Sequence, residues 1–413
     1  MLRSSRNSRR RLGFAAFGLA MTLSACATQG AAVPAEVDVR SFDVGSYGTE
    51  PLIERKPILE DGRLIESSRM SEAAVDPADV DADLQYSAAA APRASARTAS
   101  ANLAVPVYPV LRELDMLAGF LVAGSDVRTS EQKTTTSRSL TVNLLRFRDE
   151  DTARRAADRI DSVDFELSKD NVAVPIPSHG GARAHWRPTV PTLGATMAHG
   201  MFVMVIFVQH TSTDLATLVD IAARTITAQV AQLATFVPTP ADKLPTLKFD
   251  VDGMLARTLP TERDKWPGIN FGASKGTDIA EAPTGTHPGT GVVYGPRGAY
   301  LVDIARHKNR QVYRDAGVDL AAFVDNGTEL FRTRDAEAAK KFADIRFDWL
   351  DEVGVELEPR LAVPDTRCFD PKDSDTFICH LTYRRYVALV TSGSADDVKH
   401  KAAAQYALLA NSQ

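Results

Sequence analysis

Apolar and polar positions along this chain follow two rhythms in turn. Residues 141–147 form a β-branched and apolar run that predicts a strand. The run ends at Asp149, whose side chain can accept a hydrogen bond from the backbone that opens a helix. Glu150 and Asp151 then precede Arg154 and Arg155, the order of charge that a helix dipole favours. Residues 182–187 and 201–209 predict the strands of a hairpin. Leu215, Val219, Ala222, Ile226, Val230 and Leu233 recur at helical spacing. The second half repeats the pattern, with Asp335 as a helix cap, Lys340 and Lys341 in the following turns, hairpin strands at 366–369 and 376–391, and Val398, Ala402, Tyr406 and Leu409 along a closing helix.

These landmarks keep their order and nearly keep their spacing, which points to a tandem duplication. Residues 146–158 lie over 332–344 at an offset of 186, with most positions identical or basic for basic. Arg183 lies over Arg367, and 202–206 over 386–390, both at offset 184; the closing helices align as 228–233 over 404–409 at offset 176. Each copy reads as strand, helix, long loop, strand, strand, helix. That β-α-β-β-α order is most of a ferredoxin-like unit. The expected fold class is therefore α+β, with two tandem related units, each an antiparallel sheet carrying helices on one face. The units are expected at 37–237 and 246–413, joined by a linker at 238–245, where Pro238 and Pro240 cannot continue a helix. Residues 88–104, almost all Ala, Ser, Arg and Thr, read as a low-complexity insert in the first unit, and 261–291 as a long loop in the second.

The N-terminus has a different pattern. Arg3, Arg6, Arg9, Arg10 and Arg11 occur without acids and are followed by an apolar run from Leu12 to Leu23. About 12 residues cannot span a bilayer that needs roughly 20, so 1–25 reads as a secretory signal peptide. Leu23-Ser24-Ala25-Cys26 resembles a bacterial lipobox, where small residues before the cysteine permit cleavage. The resemblance implies that Cys26 is the mature N-terminus and carries a thioether-linked diacylglycerol, with 26–36 as anchor and tether. Two acyl chains hold a protein stably at a membrane. Ser8-Arg9-Arg10-Arg11-Leu12 also resembles a twin-arginine signal, so either export route fits.

Composition narrows the possibilities further. The chain has 413 residues, 44% hydrophobic and 24% charged, enough for a packed core and too long for one ordinary domain. Its formal charge is -5, and removal of the five leader arginines takes it to about -10. That offers no basic face for nucleic acid. Export permits disulfides, and Cys368 and Cys379 enclose a turn-rich segment flanked by apolar residues, which suits a bridge across a hairpin; two free thiols are the alternative. At offset 184 the first copy places Ala184 and Ala195, each a cysteine cut back to its β-carbon. If the duplication is correctly aligned, those two alanines also face each other across adjacent strands.

No motif with catalytic chemistry emerges. Gly272-Ala273-Ser274-Lys275-Gly276 matches a nucleophile-elbow pattern but lacks the strand before and the helix after that the elbow requires. Asp79, Asp81 and Asp83 begin like a calcium loop, but Leu84 takes the glycine position and Ala90 the closing carboxylate position, leaving an acidic solvated stretch. None of the eight histidines pairs in a zinc-protease spacing. His185 and His199 flank one predicted hairpin, yet the second copy has Phe369 and Tyr383 there, which suggests packing rather than a metal. Trp186 between Arg183 and Arg187 reads as a strand with its aromatic inward and its arginines outward. No cofactor is implied.

The lipobox, the opening Asp43-Val44-Gly45-Ser46-Tyr47, the central Arg183-Ala184-His185-Trp186-Arg187-Pro188 and the ending at 402–409 together resemble an uncharacterised family of exported lipoproteins of mycolic-acid-bearing actinobacteria. The resemblance implies a location on the outer face of the plasma membrane and supplies no catalytic residue. The expected function is a non-catalytic module that binds an envelope lipid or a partner protein, held to the membrane through Cys26. The alternative is an enzyme acting on envelope lipid or glycan, with its site between the two units.

Overall fold

Helix starts fall where acidic and hydroxyl side chains can serve the backbone. The Asp149 carboxylate accepts from Thr152 N at 2.8 Å, and Asp335 does the same for Ala338 N at 2.8 Å. The structure is a computed structural model that describes residues 37–53, 56–128, 136–260, 291–303, 305–324, 327–358, 361–372 and 374–412. The signal segment, Cys26 and its tether, the Gly272–Gly276 elbow match and nearly all of the 261–291 loop lie outside these residues.

In the first half, α1 (Leu59–Arg69) and the single turn α2 (Pro77–Val80) precede β1 (Tyr86–Pro92). After α3 (Ala96–Ser100) and α4 (Val107–Glu113) come β2 (Ala118–Ser125), β3 (Ser139–Arg146) and α5 (Glu150–Phe165). Next follow β4 (Val172–Val174), β5 (Arg183–Trp186), β6 (Thr192–His199) and β7 (Phe202–Gln209), closed by α6 (Leu215–Leu233). The second half runs β8 (Gly291–Tyr294), α7 (Pro296–Leu301), α8 (Arg306–Ala316), β9 (Leu320–Val324), β10 (Thr328–Arg332) and α9 (Ala336–Arg346). It continues through α10 (Trp349–Val353), β11 (Gly354–Glu356), β12 (Thr366–Pro371), β13 (Phe377–Tyr383) and β14 (Tyr386–Ser392) to α11 (Ala395–Asn411).

Each half forms a seven-stranded antiparallel sheet. The first has the order β1-β2-β3-β7-β6-β5-β4, and the second, read from its other edge, has β8-β9-β10-β14-β13-β12-β11. The two orders match strand for strand. Two equivalent pairs fix the register of the repeat: Arg146 faces Phe202 where Arg332 faces Tyr386, and Ala184 faces Ala195 where Cys368 faces Cys379. The α+β class and the tandem units expected from the sequence are therefore present.

Three details differ from expectation. The sheets are wider than a ferredoxin-like unit. Strand 182–187 pairs not with 201–209 but with the intervening β6, whose Gly194, Ala195 and Thr196 disguise it, and the second copy's 376–391 divides into β13 and β14. The helices also lie on opposite faces. Met204, Ile206 and Val208 cluster with Leu218, Ile221 and Ile226 of α6, whereas the alternate residues Val203 and Val205 cluster with Ala153, Ala156 and Ile160 of α5. Residues 88–104 are not an insert outside the fold, because Ala88 to Ala91 belong to edge strand β1, which backbone pairing to β2 holds without large side chains.

Val39–Gln413 forms one compact unit. Its largest apolar cluster contains the α6 side of the first sheet and the α9 side of the second, joined by Met70, Ala73, Ala299 and Tyr300. The 238–245 crossing is packed rather than loose, with Leu244 fully buried in the 3-10 turns Ala241–Thr246 against α1. In each copy a buried glutamine on the closing helix clamps the backbone of the opening segment. Gln229 accepts from Val75 N at 3.1 Å and donates to Ala73 O at 2.6 Å. Gln405 accepts from Leu259 N at 2.9 Å and donates to Arg257 O at 2.6 Å. The clamped residues are 184 apart, so the duplication begins well before the first sheet.

Candidate functional site

Two residues, Arg384 and Arg385, turn β13 into β14, with Tyr383 paired across to Tyr386. The equivalent turn of the first copy joins His199 to Phe202 through Gly200, which sits at φ 54. Arg384 holds the same left-handed conformation at φ 51, a region where a β-carbon crowds the backbone and glycine is the usual occupant. Beside this turn is a cavity of about 480 Å³. Its walls are Arg257, Tyr383, Arg384, Arg385 and Tyr386, and Ala336, Leu409 and Ser412 complete it.

The cationic groups lie over aromatic faces. The Arg384 guanidinium lies 5.5 Å from the Tyr383 ring centre, and those of Arg385 and Arg257 each lie 5.9 Å from that of Tyr386. The ring quadrupole attracts each cation without neutralising it. Arg257 is further fixed by donating to the carbonyls of Asp252 (3.1 Å), Gly253 (2.8 Å) and Ser412 (2.9 Å). Tyr383 packs edge-on against Tyr406 of α11, 5.2 Å between centres, so the closing helix backs the site. Such an arrangement can hold an anion against apolar walls. Among the described residues its lining holds no carboxylate, histidine or cysteine. The signal for it is the string Tyr383-Arg384-Arg385-Tyr386, hidden inside what reads as one long strand.

Other gatherings of charge are structural. Asp303 accepts from Asn309 Nδ2 at 2.9 Å and from the Tyr313 hydroxyl at 3.1 Å, and pairs with Arg346 at 3.1 Å. Burial raises the neighbouring Glu329 carboxyl above its ordinary range. Glu66, fully buried, takes Arg146, Arg69 and the Thr239 backbone and hydroxyl. The Asp79–Asp83 stretch is not merely solvated: Asp79 pairs with Arg310, and Asp81 and Asp83 both pair with Arg138. That is a surface lattice and not a calcium loop.

The remaining sequence candidates are also placed. Cys368 and Cys379 form a disulfide with Cα atoms 4.0 Å apart. His185 lies edge-on to Phe165, 5.7 Å between centres, and is level with Gly194, five residues along β6 from the exposed His199, so the two do not converge. No group of three or more His, Cys, Asp or Glu side chains could hold a metal among the described residues. Trp186 packs against the core while Arg183 points out to Asp158 at 2.7 Å. His380 is sandwiched between Phe347 and Phe369, 5.0 and 6.0 Å from their centres, and burial pushes its pKa down to about 4. Among the described residues no helix is long and apolar enough to cross a membrane.

Two family models cover most of the chain. A domain of unknown function, DUF7373, matches through its N-terminal model over residues 54–249 and through its C-terminal model over 254–412. The chain belongs to the DUF7373 family. The seam between the two DUF7373 models falls at 249–254, just past the 238–245 crossing, and each model holds one seven-stranded sheet. No curated protein matches the chain. Among solved structures, the extracellular domain of PknH from Mycobacterium tuberculosis aligns at 10% identity and a TM-score of 0.27, over 44% of this chain and all of that one.

Proposed function

We infer that this DUF7373 protein is an exported lipoprotein, anchored through Cys26 on the outer face of the plasma membrane, whose folded body is a non-catalytic binding module for an envelope component. The anchor is supported by the order of basic leader, short apolar run, Ser24-Ala25 and Cys26. Binding is supported by one observation above the rest: the cavity beside the β13–β14 turn is walled by arginines and tyrosines, whereas the buried Glu66 and Asp303 are consumed in structural ion pairs. A disulfide in the second copy suits an oxidising compartment.

The test is fractionation and crosslinking in cells that express wild type or Cys26→Ala. Wild type is expected in the membrane fraction with a diacylglycerol mass increment and a crosslinked partner, and the variant in the soluble fraction without them. Equal partitioning of both proteins would overturn the anchor, and with it the location.

A further inference from the structure

The segment that precedes α1 stands outside the repeat. It lies ahead of residue 54, where the first family match begins, and its 3-10 turn at Val39–Ser41 opens a strap laid over α11. Phe42 packs edge-on against Tyr406, 5.8 Å between ring centres, and the Asp43 carboxylate pairs with His400 Nε2 at 3.2 Å. The Tyr47 hydroxyl donates to Asp397 at 2.9 Å, and Asn411 Nδ2 donates to the Thr49 carbonyl at 2.9 Å. Gly45, at φ 56, lets the chain pass so close that a β-carbon there would lie 2.9 Å from the His400 ring. The α6 side of the first copy shares a core with the second sheet, whereas the corresponding α11 side is covered by the strap through Phe42, Val44 and Tyr47.

Where the strap ends, apolar side chains turn outward. Ile53 is 90% exposed, more than any other large apolar residue described, and Ile58 and Leu59 at the start of α1 are exposed as well. Three side chains fall far short of the roughly 800 Å² per partner that a stable protein interface buries. They are enough for shallow insertion into lipid that is already held beside them, because attachment turns a weak contact into an intramolecular one. Thirteen residues separate Cys26 from Val39, a reach of at most about 45 Å. The docked strap fixes where that tether enters the body, and therefore which side of the body the anchored lipid meets first. Glu50, Glu54 and Glu60 outnumber Arg55 and Lys56 along this stretch, so the contact is apolar and not an attraction to anionic headgroups.

We propose that the strap seats the body on the bilayer through the 50–59 segment, with Ile53 inserted at the boundary of headgroups and acyl chains. The proposal rests on the Cys26 anchor and adds an orientation to it. Its test uses the full-length lipidated protein carrying I53C, labelled with the fluorophore NBD and reconstituted in phosphatidylcholine vesicles that contain doxyl-labelled lipid. The introduced thiol is the one that reacts, since Cys368 and Cys379 are joined and the thioether occupies Cys26. The control is D170C, at an exposed position before edge strand β4, on the opposite edge of the first sheet from β1, which packs on α8 of the second copy. Doxyl lipid should quench the label at I53C at least twofold and leave that at D170C unchanged. Adding D43N and Y47F, which loosen the strap, should restore at least half of the lost emission. An unquenched I53C label would leave Ile53 to a partner protein and overturn the proposal, as would equal quenching at D170C or quenching undiminished in the loosened strap. Each of these can occur while the protein still floats with the vesicles, so each is distinct from failure of the anchor. Protein that does not float overturns the anchor, and this orientation with it.

Discussion

The last residue of β3 and the last residue of β10 are both arginine, both opposite an aromatic residue of the neighbouring strand, and they lead different lives. Arg146 is 2% exposed in its side chain and pairs with Glu66, which is fully buried. Arg332 reaches Asp319 and Asp252, whose side chains are 52% and 63% exposed. One ancestral strand end has become a buried structural lock in the first copy and a surface ion pair in the second. The second copy, relieved of the lock, carries instead the disulfide, the stacked histidine and the cationic turn. Duplicate sheets thus preserve backbone register while their polar residues diverge according to what each copy packs against.

That contrast can be broken most directly at the two arginines. Arg146→Ala strands the Glu66 charge in the interior and should cost about 3–5 kcal/mol, whereas Arg332→Ala should cost about 1 kcal/mol. Denaturant unfolding that shows equal losses would end the distinction. The next effect belongs to His380, which replaces the first copy's Thr196. Its folded pKa of about 4 lies below the ordinary value of 6.5, so as pH falls the unfolded chain takes up a proton first. Its contribution is complete above pH 6.5, falls by about 3 kcal/mol between 6.5 and 4, and changes no further below. His380→Phe should flatten that part of the stability curve.

Smaller changes sharpen the register. Ala184→Cys with Ala195→Cys should form a second disulfide on oxidation and add about 2–3 kcal/mol, matching the native bridge; thiols that persist would refute the equivalence. The smallest effect is at the turn. Arg384→Gly, which restores the first copy's solution, should stabilise the protein by about 1 kcal/mol in thermal unfolding.

Much of this architecture is legible in the sequence because it depends on local chemistry. Asp149 and Asp335 announce their helices, and the cysteines align with a pair of alanines because register is conserved with the backbone. Strand β1 is not legible, since alanines carry no β-signal and pairing alone holds them. Nor is β6, where Gly194 lies beneath the His185 ring and reads as a loop residue. The site was hidden for another reason. Arg384 and Arg385 interrupt an apolar run that looks continuous, and Arg257 joins them from 127 positions earlier through a tertiary contact that no periodicity encodes.

The shared core has one further consequence. The first copy contributes the side that bears α6, and the second contributes the side that bears α9, which corresponds to α5 and not to α6. Unlike surfaces therefore meet, as in a head-to-tail contact, and no two-fold axis exchanges the halves. Identical subunits associating this way would each retain an unused surface and could add further members in a row. Fusion into one chain lets the two members diverge. In the first copy α4 seals the α5 side with Val107, Val110 and Leu111, and the row stops at two.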